Sequence, residues 1–255
     1  MALVIHLIKK QMKWINVLLI SILIAGCEKP EARSCFKKSG EYSEKKVTFG
    51  SFNQLFLKEH IEYKLIQDSL NFVIIKGGKN LLDFIDVTSE QGLLSIKNRN
   101  RCNFLRHYEV PVVEIHYTKL INILFEGTER LYNEDTLITD YLTLTLRDGA
   151  GHMHLNVKAS DINAINTHGW GGLTLRGQTG TLHANLMGDG VFDFKDLNVQ
   201  TEAKLITSSS VDQYIAVNAI PFSVELNGVG NVLYYGMPTV LNKSIYSKGK
   251  LIHVQ

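Results

Sequence analysis

Apolar and polar residues alternate in short runs through the second half of the chain. The segment YLTLTLRDG places Leu142, Leu144 and Leu146 on one side of an extended backbone, and TLHANLMG and SVELNG follow the same pattern. Alternation with a period of two is typical of strands that bury one face. The sequence therefore predicts an all-β structure.

Pairs of glycines separated by one residue recur between these runs. The pattern Gly-x-Gly-x-apolar-x-apolar occurs with first glycines 20, 19 and 40 residues apart. The pairs are Gly149 and Gly151, Gly169 and Gly171, Gly188 and Gly190, and Gly228 and Gly230. A copy with serines in place of glycines, SSSVDQYIAV, begins at Ser208, and a weaker copy begins at Glu126. This spacing indicates that the chain repeats a structural unit of about 20 residues.

One such unit is too short to bury its apolar side alone, whereas stacked units form a continuous core. We therefore predict a parallel β-solenoid with coils of about 20 residues, in which Phe192 and Phe194 stack inward on Leu173 and Leu175 of the previous coil. An antiparallel β-sandwich is the alternative, because short strands separated by turns also fit that fold. The constant glycine spacing favours the solenoid, since a sandwich does not need a corner sequence at regular intervals.

Residues 47–255 are predicted to form this single domain. Strand runs between Val47 and Tyr117 lack a clean repeat, and the segment NLLDFIDV has a helical pattern that predicts an excursion. Residues 27–46 contain CEKPEARS and are predicted to be a tether.

The first 26 residues have the features of an export signal. Three lysines precede an apolar run from Trp14 to Ala25, which is too short for a relaxed membrane span and fits a signal peptide. The ending LIAGC resembles the lipobox of bacterial lipoproteins, in which the cysteine, here Cys27, is lipidated and becomes the mature N-terminus. An ordinary cleaved signal or a short anchor is the alternative, and Met12 is a second candidate start.

Removal of this signal changes the charge of the chain. The full chain has 27 basic and 25 acidic residues, and the signal contains three of the basic residues and no acidic one. The mature chain therefore has 24 basic and 25 acidic residues. Nucleic-acid binding is not expected, because no clustered basic excess remains.

Two cysteines, Cys35 and Cys102, remain after Cys27 is assigned to the lipid. An even pair in an exported protein predicts a disulfide between them, with two free thiols as the alternative.

Alignment of the units places Arg176, Asp193 and Lys195 at adjacent outward positions, without the second carboxylate that glycoside hydrolysis requires. Trp170 lies between two corner glycines, and exposed tryptophan is suited to sugar or protein contacts. We name these four residues as a candidate ligand face. The alternatives are a solvated ion pair on the sheet and a tryptophan that only covers the corner.

His152 and His154 leave the same face of one predicted strand. They could hold Zn²⁺ or Cu²⁺ only with a third ligand from the next coil, and the sequence does not supply one opposite them. No metal site and no cofactor are predicted.

Several segments resemble the head GIN domain family of auto-transporter adhesins. They are CFKKSGEYSEKKVTFGSFNQLFL, NLLDFIDV, NRNRCNFLRHYEVP and NGVGNVLYYGMP. The resemblance runs from about Cys35 to the end of the sequence and implies a right-handed, three-sided β-helix and a Bacteroidetes-type lipoprotein. Several corners depart from the family, with Val, Asp or Ser in place of a Gly-Ser-Gly-Asp-like sequence.

These observations together predict a lipoprotein of the bacterial cell envelope. We expect it to be anchored by its N-terminal lipid, in the outer membrane, and to face the periplasm or the cell surface. Its expected role is non-catalytic, as an adhesion-like binding or structural protein with an envelope glycan or protein as ligand. The alternative is a glycan-active enzyme on a β-helix scaffold.

Overall fold

The protein is represented by a computed structural model that describes residues 39–100 and 109–255. Its secondary structure is almost entirely strand. The strands are β1 (Tyr42–Thr48), β2 (Gln54–Lys58), β3 (Glu62–Gln67), β4 (Phe72–Gly78), β5 (Ile85–Glu90), β6 (Leu93–Asn98), β7 (Val112–Tyr117), β8 (Asn122–Glu126), β9 (Arg130–Asn133), β10 (Leu137–Ile138), β11 (Tyr141–Arg147), β12 (His152–His168), β13 (Gly172–Leu186), β14 (Phe192–Phe194), β15 (Leu197–Thr207), β16 (Gln213–Ala216), β17 (Pro221–Leu226), β18 (Val232–Tyr235), β19 (Val240–Ile245) and β20 (Leu251–Val254). One short helix, α1 (Lys79–Leu82), precedes β5.

Stacked parallel strands form a β-solenoid of about 7 turns with coils of ~20 residues, as the glycine period predicts. The front sheet follows the pairing order β1, β4, β7, β3, β9, β12, β13, β14, β16, β18 and β20. The back sheet follows the order β5, β6, β2, β8, β11, β12, β13, β15, β17 and β19. Long strands β12 and β13 bend from one sheet to the other. A short third side joins β10 to the middle of β12, β13 and the start of β15.

Antiparallel pairs occur only in the first coils of the described chain. Strand β4 pairs antiparallel with β1 and β7, and β5 pairs antiparallel with β6. Because β1 begins at Tyr42, residues 42–46 belong to the sheet rather than to the tether assigned from sequence. Only the first three residues of NLLDFIDV lie in α1, and Ile85 already starts a strand. Within the described residues, no helix has the length and hydropathy needed to cross a membrane.

A single apolar core runs between the sheets. The prediction that Phe192 and Phe194 point into the core is confirmed, because both side chains are fully buried. Phe192 is in register with Leu173 of the previous coil, as expected. Their rings meet edge to face with centroids 6.1 Å apart. The alternation read from sequence therefore selects the core side of the strands correctly.

The glycine pairs stand where successive corners of the solenoid touch. A β-carbon on Gly151 would collide with the carbonyl of Glu129, and one on Gly190 would collide with the carbonyl of Gly171. Only Gly169 among the paired glycines has a positive φ, of +99°. Close approach of backbones from coil to coil is therefore the main reason that glycine repeats at this spacing.

The corner that carries serines instead of glycines is stabilised by a buried glutamine. Gln213 Nε2 donates to the carbonyl of Gly190 at 3.1 Å and to Ser209 Oγ at 3.2 Å, and its Oε1 accepts from Phe192 N at 2.8 Å. Because buried polar groups need partners, this network holds the substituted corner in the same stack as its neighbours.

Candidate functional site

Arg176, Asp193 and Lys195 lie at the outer surface of the front sheet. Thr174 is in register with Asp193, which is in register with Tyr214 of the following coil. Lys195 Nζ lies 3.1 Å from Asp193 Oδ2 and 5.2 Å from the centre of the Tyr214 ring. The outward ladder predicted from the repeat is therefore present, with charged and aromatic side chains side by side.

Arg176 pairs with a carboxylate that the sequence alignment did not single out. Its Nε lies 3.4 Å from Asp196 Oδ2, and both side chains are 65% exposed. An exposed pair of this kind contributes little stability. The guanidinium of Arg176 is therefore available to another anion.

Trp170 is placed apart from these charges. It lies in the glycine corner, is 75% exposed, and its backbone N donates to the carbonyl of Gly149 at 3.1 Å. Within β13, Gly172 and Arg176 are separated by roughly 13 Å of extended chain at about 3.3 Å per residue. The four residues of the candidate ligand face thus form two separate features, an exposed corner and a charged patch.

A groove of about 260 Å³ opens on the front sheet next to Arg176. We call it the front groove. Its lining residues come from β9, β12 and β13 and are Arg130, Tyr132, Asn133, His154, Leu155, Asn156, Thr174 and Arg176. Two of these eight are cationic and none is acidic, although each arginine pairs with a carboxylate outside the lining. The groove therefore offers two guanidinium groups together with amide, hydroxyl and aromatic groups.

The far wall of the front groove is held by a charged and aromatic cluster. Arg130 Nη2 lies 2.8 Å from Glu62 Oε1, and the guanidinium carbon of Arg130 lies 4.5 Å from the centre of the Tyr132 ring. Tyr132 is in register with His154 of the next coil. The floor is fixed by Asn133, whose side chain bonds both the backbone N and the carbonyl of Asn156.

His152 and His154 stack on each other with ring centroids 4.2 Å apart. Burial lowers the pKa of His152 to about 4, and the neighbouring His154 acts in the same direction. Burial also lowers the pKa of His154, and the charges of Arg176 and Arg130 lower it further. Both rings are therefore neutral near pH 7. Within residues 39–100 and 109–255, no three His, Cys, Asp or Glu residues are grouped as metal ligands.

The described carboxylates whose pKa is shifted all have a lowered pKa, which favours the ionised form. Hydrogen bonding to His116 lowers the pKa of Asp68, bonding to Lys119 lowers that of Asp140, and bonding to the backbone of Ser210 lowers that of Asp189. A general acid at neutral pH needs a shift in the opposite direction.

Cys27, Cys35 and Cys102 lie outside the described residues, so the lipidation site and the disulfide remain predictions.

Sequence reasoning missed three residues of this surface. Arg130 lies in the weakest copy of the repeat, EGTERL, and Tyr132 directly follows it, whereas Asp196 comes after the short strand β14. Alignment of the EGTERL copy with the later units would have placed Tyr132 beside His154, because that register is the one observed.

Solved structures with this fold come from species of Bacteroides and Parabacteroides. A putative adhesin from Bacteroides fragilis is 20% identical, has a TM-score of 0.72, and the match covers 84% of this chain and 97% of the other. A putative adhesin from Parabacteroides merdae is 17% identical with a TM-score of 0.62, over 85% and 97% of the two chains. A structure described as a putative lipid binding protein from Parabacteroides distasonis is 15% identical with a TM-score of 0.58, over 85% and 98%. At these identities the likeness establishes the fold.

Among curated proteins, none matches this chain significantly. The family model described as "Putative auto-transporter adhesin, head GIN domain" matches residues 51–238, which is most of the solenoid. This match confirms the resemblance given by the glycine corners and the N-terminal segments, and it points to an adhesin-like protein of the cell envelope or surface. The chain therefore belongs to the head GIN domain family.

Proposed function

We propose that the protein is a lipid-anchored lipoprotein of the cell envelope that binds an envelope glycan or protein on its front sheet and does not transform it. The observation that carries the proposal is the front groove, where Arg130, Tyr132, His154 and Arg176 converge. Convergent polar and aromatic groups in a concave site are the usual features of a binding site.

The arrangement of carboxylates favours binding over catalysis. Asp193 is paired with Lys195, and Asp196 is paired with exposed Arg176. Hydrolysis of a glycosidic bond uses two carboxyl groups on either side of the bond, one of them protonated. A glycan-active enzyme is the second candidate, because Asp193 and Asp196 lie near the groove.

The anchor is inferred from the LIAGC ending and its preceding apolar run. Several acyl chains on Cys27 would hold the protein stably at a membrane, since a single chain binds only marginally. The adhesin-like family supports a location in the cell envelope or at the cell surface, and the outer membrane is the membrane that we propose.

Capture of envelope material by purified protein tests this proposal. We expect the wild type to retain a glycan or protein fraction that is released unchanged, with no new reducing ends or unsaturated sugars. The variant Lys204→Gln, on the back sheet, serves as a control and should bind as the wild type does. Turnover of a polysaccharide that is lost in Asp193→Asn would instead support the enzyme.

A further inference from the structure

The chemistry of the front groove specifies a class of ligand more narrowly than the proposed function does. Arg130 and Arg176 approach the groove from coils on either side of β12, and none of its lining residues is a carboxylate. Guanidinium groups bind carboxylates through two parallel hydrogen bonds, which gives direction as well as strength. The groove is thus suited to an anion with a planar carboxylate.

The two arginines differ in how firmly they are already held. Arg130 is 57% exposed, but a contact with Glu62 at 2.8 Å and its position over the Tyr132 ring both constrain it. Arg176 contacts Asp196 through a looser and mostly exposed pair at 3.4 Å. A ligand carboxylate can replace Asp196 at small cost, because an exposed pair contributes little. Arg176 is therefore the group expected to contact the ligand directly.

The remaining lining is suited to a sugar rather than to a bare anion. Tyr132 and the neutral imidazole of His154 supply aromatic surface for the apolar side of a sugar ring. Thr174 and Asn156 supply hydroxyl and amide groups that donate and accept hydrogen bonds. The volume of about 260 Å³ lies just below the range of sites for drug-sized ligands, so the groove is suited to a small unit of a larger ligand.

We propose that the front groove binds one carboxylate-bearing sugar unit of an acidic glycan, with the carboxylate on Arg176 and the ring against Tyr132 and His154. The inference rests on the proposed function, since it names the ligand of the same site. Because the groove opens to solvent, the rest of the glycan chain can extend beyond it.

Calorimetric titration of the detergent-solubilised full-length protein tests the inference. The probes are an oligogalacturonate and its methyl ester of equal length, which keeps the sugar and removes the charge. We expect the acid to bind at least about tenfold more tightly than the ester, because hydrogen bonds to charged groups are stronger than neutral ones. Equal affinities would overturn the inference.

Variants identify the groove as the site. Arg176→Gln is expected to weaken binding of the acid by about tenfold or more, and Arg176→Lys to weaken it less, since lysine keeps the charge and loses the paired hydrogen bonds. The matched control is Arg99→Gln, which removes an exposed arginine that follows β6 and pairs with Asp86 in the first strand of the back sheet. Equal losses in Arg176→Gln and Arg99→Gln would mean that only net charge matters, and the inference would fail.

Two further arms separate a sugar site from a general anion site. Inorganic phosphate and vesicles that contain phosphatidylglycerol are expected to compete weakly, because neither provides a ring for Tyr132 and His154. Equal competition on a molar basis would overturn the inference in favour of an anion or lipid headgroup site.

If envelope material is still captured through the groove while the acid and the ester bind equally, the inference fails and the proposed function stands. If Arg176→Gln captures envelope material normally, the proposed function fails at this site.

Discussion

The imidazole of His152 lies over Gly172 of the next coil, where a β-carbon would come within 2.5 Å of its Nδ1. This position lets His152 Nε2 bond Thr174 Oγ1 at 2.9 Å and stack on His154. A side chain at residue 172 would also meet the carbonyl of Val191, which is backbone and cannot turn aside. The glycine therefore makes room for His152, which packs against two residues that line the front groove, His154 and Thr174.

Gly172→Ala should destabilise the protein by about 1–3 kcal/mol, the usual cost of overpacking a filled site. It should also displace the His152 ring and separate the stacked pair. Thermal or denaturant unfolding measures the first effect, and the histidine resonances report the second. The control is Gly50→Ala, because a β-carbon there meets nothing within 4 Å. Equal stability of the two variants would contradict the packing described here.

Phe192→Ala should lower the free energy of unfolding by about 3–5 kcal/mol, because it leaves a cavity between stacked coils. The neighbouring change Asp193→Asn should cost about 0.5 kcal/mol or less, since that side chain faces outward. Denaturant unfolding of both variants measures the difference. Similar losses at the two positions would mean that the strand faces are assigned wrongly.

Stability should fall as pH decreases from about 6.5 to about 4. The unfolded chain takes up a proton on His152 below its ordinary pKa of 6.5, whereas burial keeps the folded ring neutral until about pH 4. His154, whose pKa is also lowered, contributes in the same direction. The loss is expected to be about 1–2 kcal/mol, since solvent reaches part of the site.

Denaturant unfolding of His152→Gln at several pH values isolates this effect, and the variant should show a flatter dependence than the wild type. The control His183→Gln replaces an exposed histidine on the back sheet and leaves the stacked pair intact. A wild-type slope in His152→Gln would show that the acid sensitivity arises elsewhere.

Cys27→Ser should move the protein from the membrane fraction to the soluble fraction, because the serine cannot carry the acyl chains that the lipobox-like LIAGC predicts. Fractionation together with mass spectrometry of the mature N-terminus checks this. Unchanged membrane retention of the variant would count against lipid anchoring at this residue.

The repeated part of the fold is predictable because one physical constraint recurs in every coil. The carbonyls of successive corners approach so closely that Gly151 and Gly190 admit no side chain, and this fixes the period. The alternation after each glycine pair then determines which residues, such as Phe192, reach the core. Both signals depend on local sequence and need no knowledge of distant partners.

The first coils and the groove are less predictable for the opposite reason. Antiparallel pairing of β1 with β4 joins residues some 30 positions apart, and nothing in either strand specifies that partner. The front groove depends on Arg130, from a coil whose glycine corner is degenerate, so the alignment of units did not reach it. The pairing of Arg176 with Asp196 depends on a turn after β14 that departs from the repeat.

The most direct test of a binding solenoid is hydrogen–deuterium exchange with and without the captured envelope ligand. The account predicts added protection in β9 and in the front-sheet parts of β12 and β13, with the exposed Trp170 corner and the back-sheet strand β17 unchanged. Arg176→Gln should strongly reduce that protection at a ligand concentration close to the wild-type Kd. Protection confined to the corner or the back sheet, or equal protection in Arg176→Gln, would contradict it.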